Sequence, residues 1–464
     1  MLATLAGAVR SRAASSEELV RGSLERIDRL NPALNAVIRV RADAALSDAR
    51  ALDGRVAAGE DPGPLAGLPL LVKDNEDCAG LPTTFGSLLR ADAPPAEADC
   101  EAVARLRAAG AIVVGKTNLP EFAWEGFTAN RLFGATRNPW APEWTPGGSS
   151  GGSGAALAAG MAPLATGTDG GGSVRIPAAF CGLVGLKPTN GLIGQWPTPS
   201  WIELSTKGPL ATSVADARLL LDVLRGPIAG APTAAPVWEP RADARASRIL
   251  ATPRLVAHDE PLSEGLMASF DAALERLEAA TGLAIEPIDP PYPPQLDDDW
   301  FTIVGVDELT WLGRNVVEER QGDLTEYLRV ALRLAARISV DEYMAARRRR
   351  FGFCRQTDLL LGEDTVLVCP TMCVEGFPTD RRLPGPEQVG TQSPDYNNQP
   401  TNSTGHPSLS VPAGRSGNGV PFGLQITGPR FRDDLVLAVG ELWERANPWP
   451  EVAPGYEPFA ADLR

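Results

Sequence analysis

The sequence is poor in the side chains that most often serve as bases and metal ligands. Its 464 residues include only two histidines, His258 and His406, and six irregularly spaced cysteines. Structural zinc sites bring Cys and His together at short, regular intervals, and Cys369 and Cys373 lack that spacing. The sequence therefore predicts no metal centre, and it favours reduced core thiols over a disulfide framework.

Long apolar runs and excess positive charge are missing as well. No window reaches the roughly 18 apolar residues of a membrane-spanning helix. The first residues, MLATLAGAVRSRAASS, lack the positively charged start of a signal peptide. A formal net charge of −15 would repel nucleic acid and anionic membranes. We therefore expect a cytoplasmic protein with neither as a partner, and we leave a homodimer open.

Lysine is unusually scarce among the charged residues. Only four of the 43 basic side chains are lysine: Lys73, Lys116, Lys187 and Lys207. Arginine stays protonated in proteins, whereas a buried lysine can lose its proton and act as a base. Lys73 directly follows the apolar run LPLLV, so we expect desolvation to lower its pKa. For the other three lysines, hydrogen bonding in loops is the simpler interpretation.

Helical and extended patterns alternate along the first half of the chain. Residues 15–30 predict a serine-capped helix that stops at Asn31-Pro32, and 34–58 predict a second helix. The stretches GLPLLVKDN and AIVVGKTN are typical of buried strands. Strands return near the end in DTVLVCPT, PSLSVPAG and PFGLQITG, before a last helix from Asp433. This alternation predicts an α/β fold with a mostly parallel or mixed sheet covered by helices.

The stretch GAIVVGKT, from Gly110 to Thr117, fits the phosphate-loop pattern G-x-x-x-x-G-K-[ST]. A working phosphate loop presents open backbone amides between its glycines, but Ala-Ile-Val-Val is typical of a buried strand. The preceding segment, EAVARLRAAG, has a helical pattern. We therefore expect no nucleotide binding.

The stretch GGSSG, from Gly147 to Gly151, fits the nucleophile elbow pattern G-x-S-x-G. An elbow needs a buried strand directly upstream, and RNPWAPEWTP cannot supply one because it contains three prolines. A catalytic triad would also depend on His406, the only histidine at a suitable position in the chain. The pattern therefore disfavours an α/β-hydrolase.

Two glycine-serine segments each precede a helical pattern. TPGGSSGGSG leads into AALAAGM, and ATGTDGGGS leads into VRIPAAF. Such loops direct several backbone N–H groups at one point, which suits a developing negative charge. A flexible linker would not be followed at once by two ordered, apolar elements. We interpret the segments as a site, with Ser149, Ser150, Ser153 and Ser173 as its candidate hydroxyl groups.

These segments resemble the amidase signature family, and the resemblance spans most of the chain. It implies an α/β fold with a mixed central β-sheet covered by helices on both faces, and amide hydrolysis without cofactor or metal. The matching stretches are GLPLLVKDN (67–75), AGAIVVGKTNLPEFA (109–123), FGATRNPW (133–140), TPGGSSGGSGAALAAG (145–160), GTDGGGSVRIPAAFCGLVGLKPTNG (167–191), GPLATSVADA (208–217), STGHPSLSVP and PFGLQITG.

The resemblance assigns the family's serine–serine–lysine triad to Ser173, Ser149 and Lys73. Ser173 corresponds to the nucleophile that is acylated, and Lys73 to the base. Ser149 corresponds to the bridging serine, which in this family follows a cis peptide bond, here Gly148-Ser149.

The same resemblance places the oxyanion hole at the backbone N–H groups of Gly170, Gly171, Gly172 and Ser173. Many members carry a larger residue at the position of Gly170, so the rigidity of the loop is in question. Next to the nucleophile, Asp169 and Arg175 are expected to be structural supports.

The implied reaction converts a carboxylic amide into a carboxylate and ammonia or an amine through a serine acyl-enzyme. One alternative is the transamidating subunit of a glutamyl-tRNA amidotransferase, which shares fold and triad and needs partner subunits. Against it, CAGLPTTFGS (78–87) resembles general amidases more closely. A non-catalytic binding protein on the same scaffold is a further alternative, although all three triad residues are present.

The resemblance divides the chain into four segments. Residues 1–60 form an N-terminal helical region, and 61–225 form the amidase signature core. Residues 226–360 form a helical, variable segment on the substrate side, and 361–464 complete the α/β core.

The acyl pocket of relatives is lined by segments near 121–127, 190–205 and 300–400. The sequence predicts a small-molecule amide substrate but does not identify the amide. Aromatic side chains could line this pocket, with a place in the core as the alternative for each: Phe122, Trp124, Phe127, Trp196 and Trp201.

Overall fold

The computed structural model describes residues 1–235, 238–379 and 395–459. In these ranges the chain forms 14 α-helices and 15 β-strands. The helices are α1 Leu2–Arg10, α2 Ser16–Leu34, α3 Ala42–Ala57, α4 Glu101–Ala108, α5 Gly151–Ala158, α6 Arg175–Cys181, α7 Val214–Leu224, α8 Glu264–Thr281, α9 Gln295–Leu312, α10 Arg314–Glu319, α11 Glu326–Ala335, α12 Val340–Leu361, α13 Gln399–Thr404 and α14 Asp433–Ala446. The strands are β1 Val37–Val40, β2 Pro69–Lys73, β3 Ile112–Thr117, β4 Ala129–Asn130, β5 Gly134–Ala135, β6 Leu164–Ala165, β7 Thr168–Asp169, β8 Val184–Lys187, β9 Thr206–Lys207, β10 Leu210–Ala211, β11 Arg248–Ala251, β12 Ile285–Pro287, β13 Thr365–Pro370, β14 Ser408–Arg415 and β15 Pro421–Thr427.

Eleven of the strands form one mixed sheet in the order β1-β3-β2-β6-β10-β8-β14-β15-β13-β11-β12. Strand β2 pairs in parallel with β3 and β6, whereas β14 pairs antiparallel with β8 and β15. Because β8 is hydrogen-bonded to β14, strands from the first and second halves of the chain lie side by side. Helices cover both faces of the sheet, so the predicted α/β fold is confirmed. The division into four segments stays a prediction.

The first predicted helix begins where expected but ends later. The Ser15 hydroxyl accepts the N–H of Glu18, and the Glu18 carboxylate accepts the N–H of Ser15, which caps the helix. The predicted stop at Asn31-Pro32 was wrong, because α2 continues through Pro32 to Leu34. A proline in the last turn removes only one helical hydrogen bond. Beyond the helix end, Asn31 Oδ1 accepts the N–H groups of two residues, at 2.8 Å each.

The predicted helix over 34–58 is two elements, so this prediction was partly wrong. Strand β1 comes first and pairs antiparallel with β3, and α3 begins only at Ala42. The segment VIRV is rich in β-branched residues, which favour a strand when a neighbouring edge is available. The edge of β3 supplies that partner.

The elements next to the glycine-serine segments are buried throughout. Every residue of β2, α5 and α6 is buried. A Cβ on Gly148 would lie 2.5 Å from the Phe127 carbonyl oxygen, and a Cβ on Gly152 would lie 2.4 Å from the Asn118 nitrogen. At these two positions the neighbouring backbone leaves room for hydrogen only. The glycine-serine stretch is therefore part of the core and not a linker.

Beside the core of the sheet lies a second apolar cluster that is rich in aromatic side chains. It includes residues of α9 and α11 together with Phe122, Trp124, Phe127 and Trp201. Helix α6 contributes residues to both clusters, with Ala178 in the core of the sheet and Ile176 in the aromatic cluster. Of the helices within the described ranges, none combines the length and the apolar character that crossing a bilayer requires.

Candidate active site

A cavity of about 240 Å³ lies beside the two glycine-serine loops. Ser149 and Ser173 both line it, so folding brings these two candidate serines to one space. Ser150 and Ser153 do not line it. The Ser153 hydroxyl donates to the Thr166 carbonyl at 2.8 Å, and Ser150 Oγ lies 3.3 Å from the Thr168 nitrogen. These two serines brace the loops from inside the protein.

Lys73 ends β2 with its side chain fully buried against Ser149. Its Nζ lies 2.7 Å from Ser149 Oγ and 2.8 Å from Thr168 Oγ1. Burial lowers the pKa of Lys73 to about 7, a shift that the Glu76 carboxylate opposes and the Lys207 ammonium supports. The amine can therefore be neutral near physiological pH, as the sequence predicted from its position after an apolar strand.

The two serine loops are tied to each other through their backbones. The peptide bond between Gly148 and Ser149 is cis. The N–H of Ser150 donates to the carbonyl of Ser173 at 3.1 Å, and the Thr128 hydroxyl donates to the carbonyl of Gly147 at 2.7 Å. These contacts fix the position of Ser149 relative to Ser173.

The turn before Ser173 carries the backbone donors predicted for an oxyanion hole. The N–H of Gly172 donates to Asp169 Oδ1 at 2.8 Å, so this donor is engaged within the turn rather than directed at the cavity. The N–H groups of Gly170, Gly171 and Ser173 have no hydrogen-bond partner in the described part of the chain. Three donors thus remain available, and Gly172 is not one of them.

A buried ion pair holds this turn in place. Arg175 Nε lies 2.9 Å from Asp169 Oδ2, and Arg175 Nη2 lies 2.9 Å from Asp169 Oδ1. Burial alone would raise the pKa of Asp169, but the Arg175 guanidinium and the Asn402 amide hold it well below its usual range. Asp169 is therefore an anion that receives the N–H groups of the turn, which agrees with the structural role expected for this pair.

The close approach of Trp201 explains why position 170 is a glycine. A Cβ on Gly170 would lie 2.5 Å from Trp201 Cε3, and a Cβ on Gly171 would lie 2.6 Å from Trp300 Cζ2. The indole rings of Trp201 and Trp300 pack edge to face, with their centroids 5.6 Å apart. A larger residue at position 170 would displace Trp201. The two rings therefore occupy the space that side chains at positions 170 and 171 would need.

The aromatic candidates divide between cavity and core. Phe122, Trp196 and Trp201 line the cavity that Ser149 and Ser173 also line. Trp124 packs edge-on against Trp201, with the ring centroids 5.5 Å apart, and lines a small neighbouring pocket. Phe127 lines neither pocket and packs against the ring of Tyr327 in the apolar cluster. This geometry supports a place for Phe127 in the core rather than in the substrate pocket.

Sequence reasoning missed several side chains of the cavity. Phe85 and Trp311 pack against each other with their ring centroids 5.4 Å apart, and both line it. Glu308 also lines it, and its Oε2 accepts the indole N–H of Trp201 at 2.8 Å. Trp311 and Glu308 both belong to α9. The only sequence signal was a pair of carboxylates, Asp307 and Glu308, inside the otherwise apolar stretch IVGVDELTWL.

The other three lysines are hydrogen-bonded, but in strands rather than in the predicted loops. Lys116 on β3 donates to the Glu76 carbonyl at 2.7 Å. Lys187 on β8 donates to the Pro188 carbonyl at 2.8 Å. Lys207 on β9 lies 3.0 Å from a Glu76 carboxylate oxygen and lines the cavity. The prediction of a loop setting was wrong, because these lysines hold the ends of strands to neighbouring loops.

Two motif alternatives are tested by the same geometry. The phosphate-loop pattern contains β3, all of whose residues are buried, so it cannot cradle a phosphate. The elbow pattern follows residues 136–146, which form neither helix nor strand. His406 is buried, with Nε2 3.2 Å from Asp358 Oδ1, and does not line the cavity of Ser149. Within the described ranges, no group of three or more His, Cys, Asp or Glu side chains could hold a metal ion.

Comparison with known proteins agrees with this geometry. A family model described as Amidase matches residues 18–437. An acylamidase of Rhodococcus erythropolis is 34% identical over 97% of this chain and 96% of its own length. A glutamyl-tRNA(Gln) amidotransferase subunit of Thermosynechococcus vestitus is 35% identical over 95% of this chain and 96% of its own length. The crystal structure of a bacterial aryl acylamidase of the amidase signature enzymes superposes with a TM-score of 0.86 and 30% identity, over 96% of this chain and 95% of that one. The chain therefore belongs to the amidase signature family and is an amide-hydrolysing enzyme.

Proposed function

We propose that the chain hydrolyses a carboxylic amide to a carboxylate and ammonia or an amine through an acyl-enzyme on Ser173. Ser149 and Lys73 form the proton relay. The observation that carries the proposal is the 2.7 Å contact between Lys73 Nζ and Ser149 Oγ, at the wall of the cavity that Ser173 also lines. A serine hydroxyl needs such a base to become a nucleophile.

During the attack, protons move along the relay towards Lys73, and when the amine leaves they move back along the same path. Neutral Lys73 accepts the proton of the Ser149 hydroxyl, while Ser149 Oγ accepts the proton of Ser173 as Ser173 Oγ attacks the amide carbonyl carbon. The oxyanion of the tetrahedral intermediate is received by the N–H groups of Gly170, Gly171 and Ser173. The proton then returns through Ser149 to the leaving nitrogen, and the C–N bond breaks to leave an ester on Ser173.

Hydrolysis of the ester uses the same groups. A water molecule gives its proton through Ser149 to Lys73 and attacks the ester carbonyl. The second tetrahedral intermediate collapses, the carboxylate leaves, and Ser173 recovers its proton. Thr168 supports both half-reactions by holding Lys73 Nζ in position, and its hydroxyl oxygen in turn accepts the Asn75 side-chain amide at 3.1 Å. Besides these side chains, the steps use only the backbone N–H groups of the oxyanion turn and a water molecule.

Labelling with a serine-reactive fluorophosphonate tests the assignment of the nucleophile. We expect peptide mapping to find the label on Ser173, and we expect Lys73→Ala to slow the labelling strongly. Ser153→Ala is the matched control, because Ser153 lies in α5, directly after the loop that carries Ser149, and does not line the cavity. Label on Ser149 or on any other serine, with Ser173 unmodified, would overturn the assignment.

A second candidate function is supported by the similarity to a subunit of glutamyl-tRNA(Gln) amidotransferases. In that case the amide would be glutamine, and the released ammonia would pass to another protein of the same complex. The purified chain should then hydrolyse glutamine only, and require partners for full activity. Hydrolysis of simple aliphatic or aryl amides by the chain alone favours the amidase. The net charge of −15 also disfavours direct contact with tRNA.

A further inference from the structure

One carboxylic side chain in the wall of the cavity takes no part in the proposed relay. Glu308 on α9 is 1% exposed, and its Oε2 accepts the Trp201 indole N–H at 2.8 Å. Its Oε1 accepts no hydrogen bond of good geometry within the described ranges, although the nearby Ser200 side chain favours the carboxylate form. Burial of a polar atom without a good hydrogen bond is unfavourable, because the atom loses its contacts with water. A carboxyl oxygen in this state, at the edge of a cavity, is suited to a donor that enters from outside.

The other charged groups of the cavity do not supply that donor. Lys207 is paired with Glu76, with 3.0 Å between Nζ and Oε1. Arg90 is exposed, and its guanidinium lies over the Phe85 ring, 5.3 Å from the centroid. Asp77 carries charge of the same sign as Glu308. Within the described part of the chain, Glu308 therefore forms no ion pair.

The remaining wall of the cavity favours a cation over other donors. Four aromatic side chains besides Trp201 line it: Phe85, Phe122, Trp196 and Trp311. The faces of aromatic rings attract cations, and a primary ammonium combines three N–H donors with a short alkyl stem. Burial raises the pKa of Glu308 to about 7, although the Ser200 and Trp201 side chains act in the opposite direction. A cation bound beside Glu308 would favour its carboxylate form.

We infer that Glu308 is a specificity-determining residue that receives a primary ammonium group carried by the substrate, away from the scissile amide. The inference rests on the proposed function, because the same cavity must hold the amide. It identifies the preferred substrates as amides whose acyl part or amine part bears a second, protonated amino group. Glu308 accepts hydrogen bonds from the ammonium and transfers no proton in the reaction.

The competing explanation is that Glu308 only holds Trp201 against Gly170. Glu308→Gln separates the two roles, because a glutamine oxygen can still accept the indole N–H but carries no charge. Asp307→Asn is the matched control. Asp307 precedes Glu308 on the same helix, accepts the Tyr343 hydroxyl at 2.7 Å and does not line the cavity.

The experiment measures kcat/KM for pairs of amides of equal length. In one set, anilides of ω-aminoalkanoic acids are paired with anilides of alkanoic acids. In the other set, N-acetyl diamines are paired with N-acetyl alkylamines. We expect the wild type to prefer the amino member of at least one pair by about tenfold or more, the size of one charge-assisted hydrogen bond. Glu308→Gln should lose this preference, because its kcat/KM falls much more for the amino member than for the alkyl member, while Asp307→Asn should keep the wild-type preference.

Two results would overturn the inference. One is a wild type that prefers the alkyl member in every pair or shows no preference. The other is a Glu308→Gln variant with the wild-type preference intact. Failure of the wild type to hydrolyse any amide of either set would instead overturn the proposed function, and the inference with it. As a check without a variant, alkylammonium ions should inhibit the wild type competitively, and alcohols of equal length should not; equal inhibition by both also contradicts the inference.

Discussion

The two sides of the cavity are built in different ways. The side that carries Lys73, Ser149 and Ser173 consists of a strand end and two glycine-serine loops within residues 69–173, and these three side chains are buried. The opposite side is assembled from aromatic and acidic side chains that are far apart in the sequence, such as Trp201 and Glu308. The first side leaves almost no room for change, because backbone packs on backbone. The second side depends on side-chain contacts, which can change without loss of the fold.

The largest expected effect is on the first side, at the nucleophile. Ser173→Ala removes the atom that forms the acyl-enzyme, so we expect kcat to fall by about 10⁴ or more. The thermal unfolding midpoint should change little, because only one oxygen atom is lost. Steady-state kinetics with a high enzyme concentration, together with intact-mass analysis, measure this effect. An acylated Ser173→Ala protein would contradict the proposed nucleophile.

Nearly as large an effect is expected at the base. Lys73→Arg keeps a positive charge but cannot release its proton at a usable pH. We therefore expect Lys73→Arg to lose almost as much kcat/KM as Lys73→Ala, on a single alkyl amide. If the arginine variant retains most of the wild-type activity, Lys73 acts through its charge or its shape and not as a base.

A smaller effect is expected where the two sides touch. Gly170→Ile places a Cβ where Trp201 Cε3 now lies, so either the indole or the oxyanion turn must move. A displacement of about 1 Å in such a turn can lower the rate by about 100-fold. The double variant Gly170→Ile, Trp201→Ala should recover part of this loss by making room. Kinetics of the single and double variants measure the coupling, and strictly additive losses would speak against direct contact as the cause.

The pH dependence of kcat/KM tests the two sides of the cavity separately, because Lys73 belongs to one side and Glu308 to the other. The neutral form of Lys73 is the active one, and burial lowers its pKa to about 7. For an alkyl amide, kcat/KM should therefore fall about tenfold per pH unit below 7 and level off above it. Glu308 also titrates near pH 7. The fall in kcat/KM at low pH should persist in the Glu308→Gln variant. If it disappears in that variant, the titration of Glu308 and not of Lys73 causes it.

The smallest effect on activity is expected at Phe127, which is an aromatic residue of the core. Phe127→Leu should leave kcat/KM within about threefold of the wild type, because the ring lies outside the cavity. It should lower the free energy of unfolding by about 1–2 kcal/mol, through loss of the contact with Tyr327 and reduced packing. Chemical denaturation measures the stability. A large loss of activity with unchanged stability would instead indicate that Phe127 contributes to the substrate pocket.

Local patterns predicted the elements that are buried on all sides. The strands β2, β3, β13, β14 and β15 and the start of α14 agree with the sequence, because continuous apolar runs and capping residues act within a few positions. The prediction failed where a neighbour decides the outcome. Residues 37–40 became a strand only because β3 offers an edge, and α2 continues past Asn31-Pro32 because the missing hydrogen bond lies in its last turn.

The sequence by itself determined the mixed α/β fold, the family and the residues proposed for the relay. A lysine after an apolar strand and two serine loops rich in glycine are local features, and the adjacent residues in the sequence predict the chemistry of each. Only the tertiary structure decided which aromatic rings face the cavity, why position 170 must be glycine, and that the N–H of Gly172 is engaged by Asp169. It also decided that Glu308 meets Trp201. An apolar or acidic pattern indicates that a side chain is buried, but packing decides its partner, as it does for Trp201 and Glu308, which lie 107 residues apart in the chain.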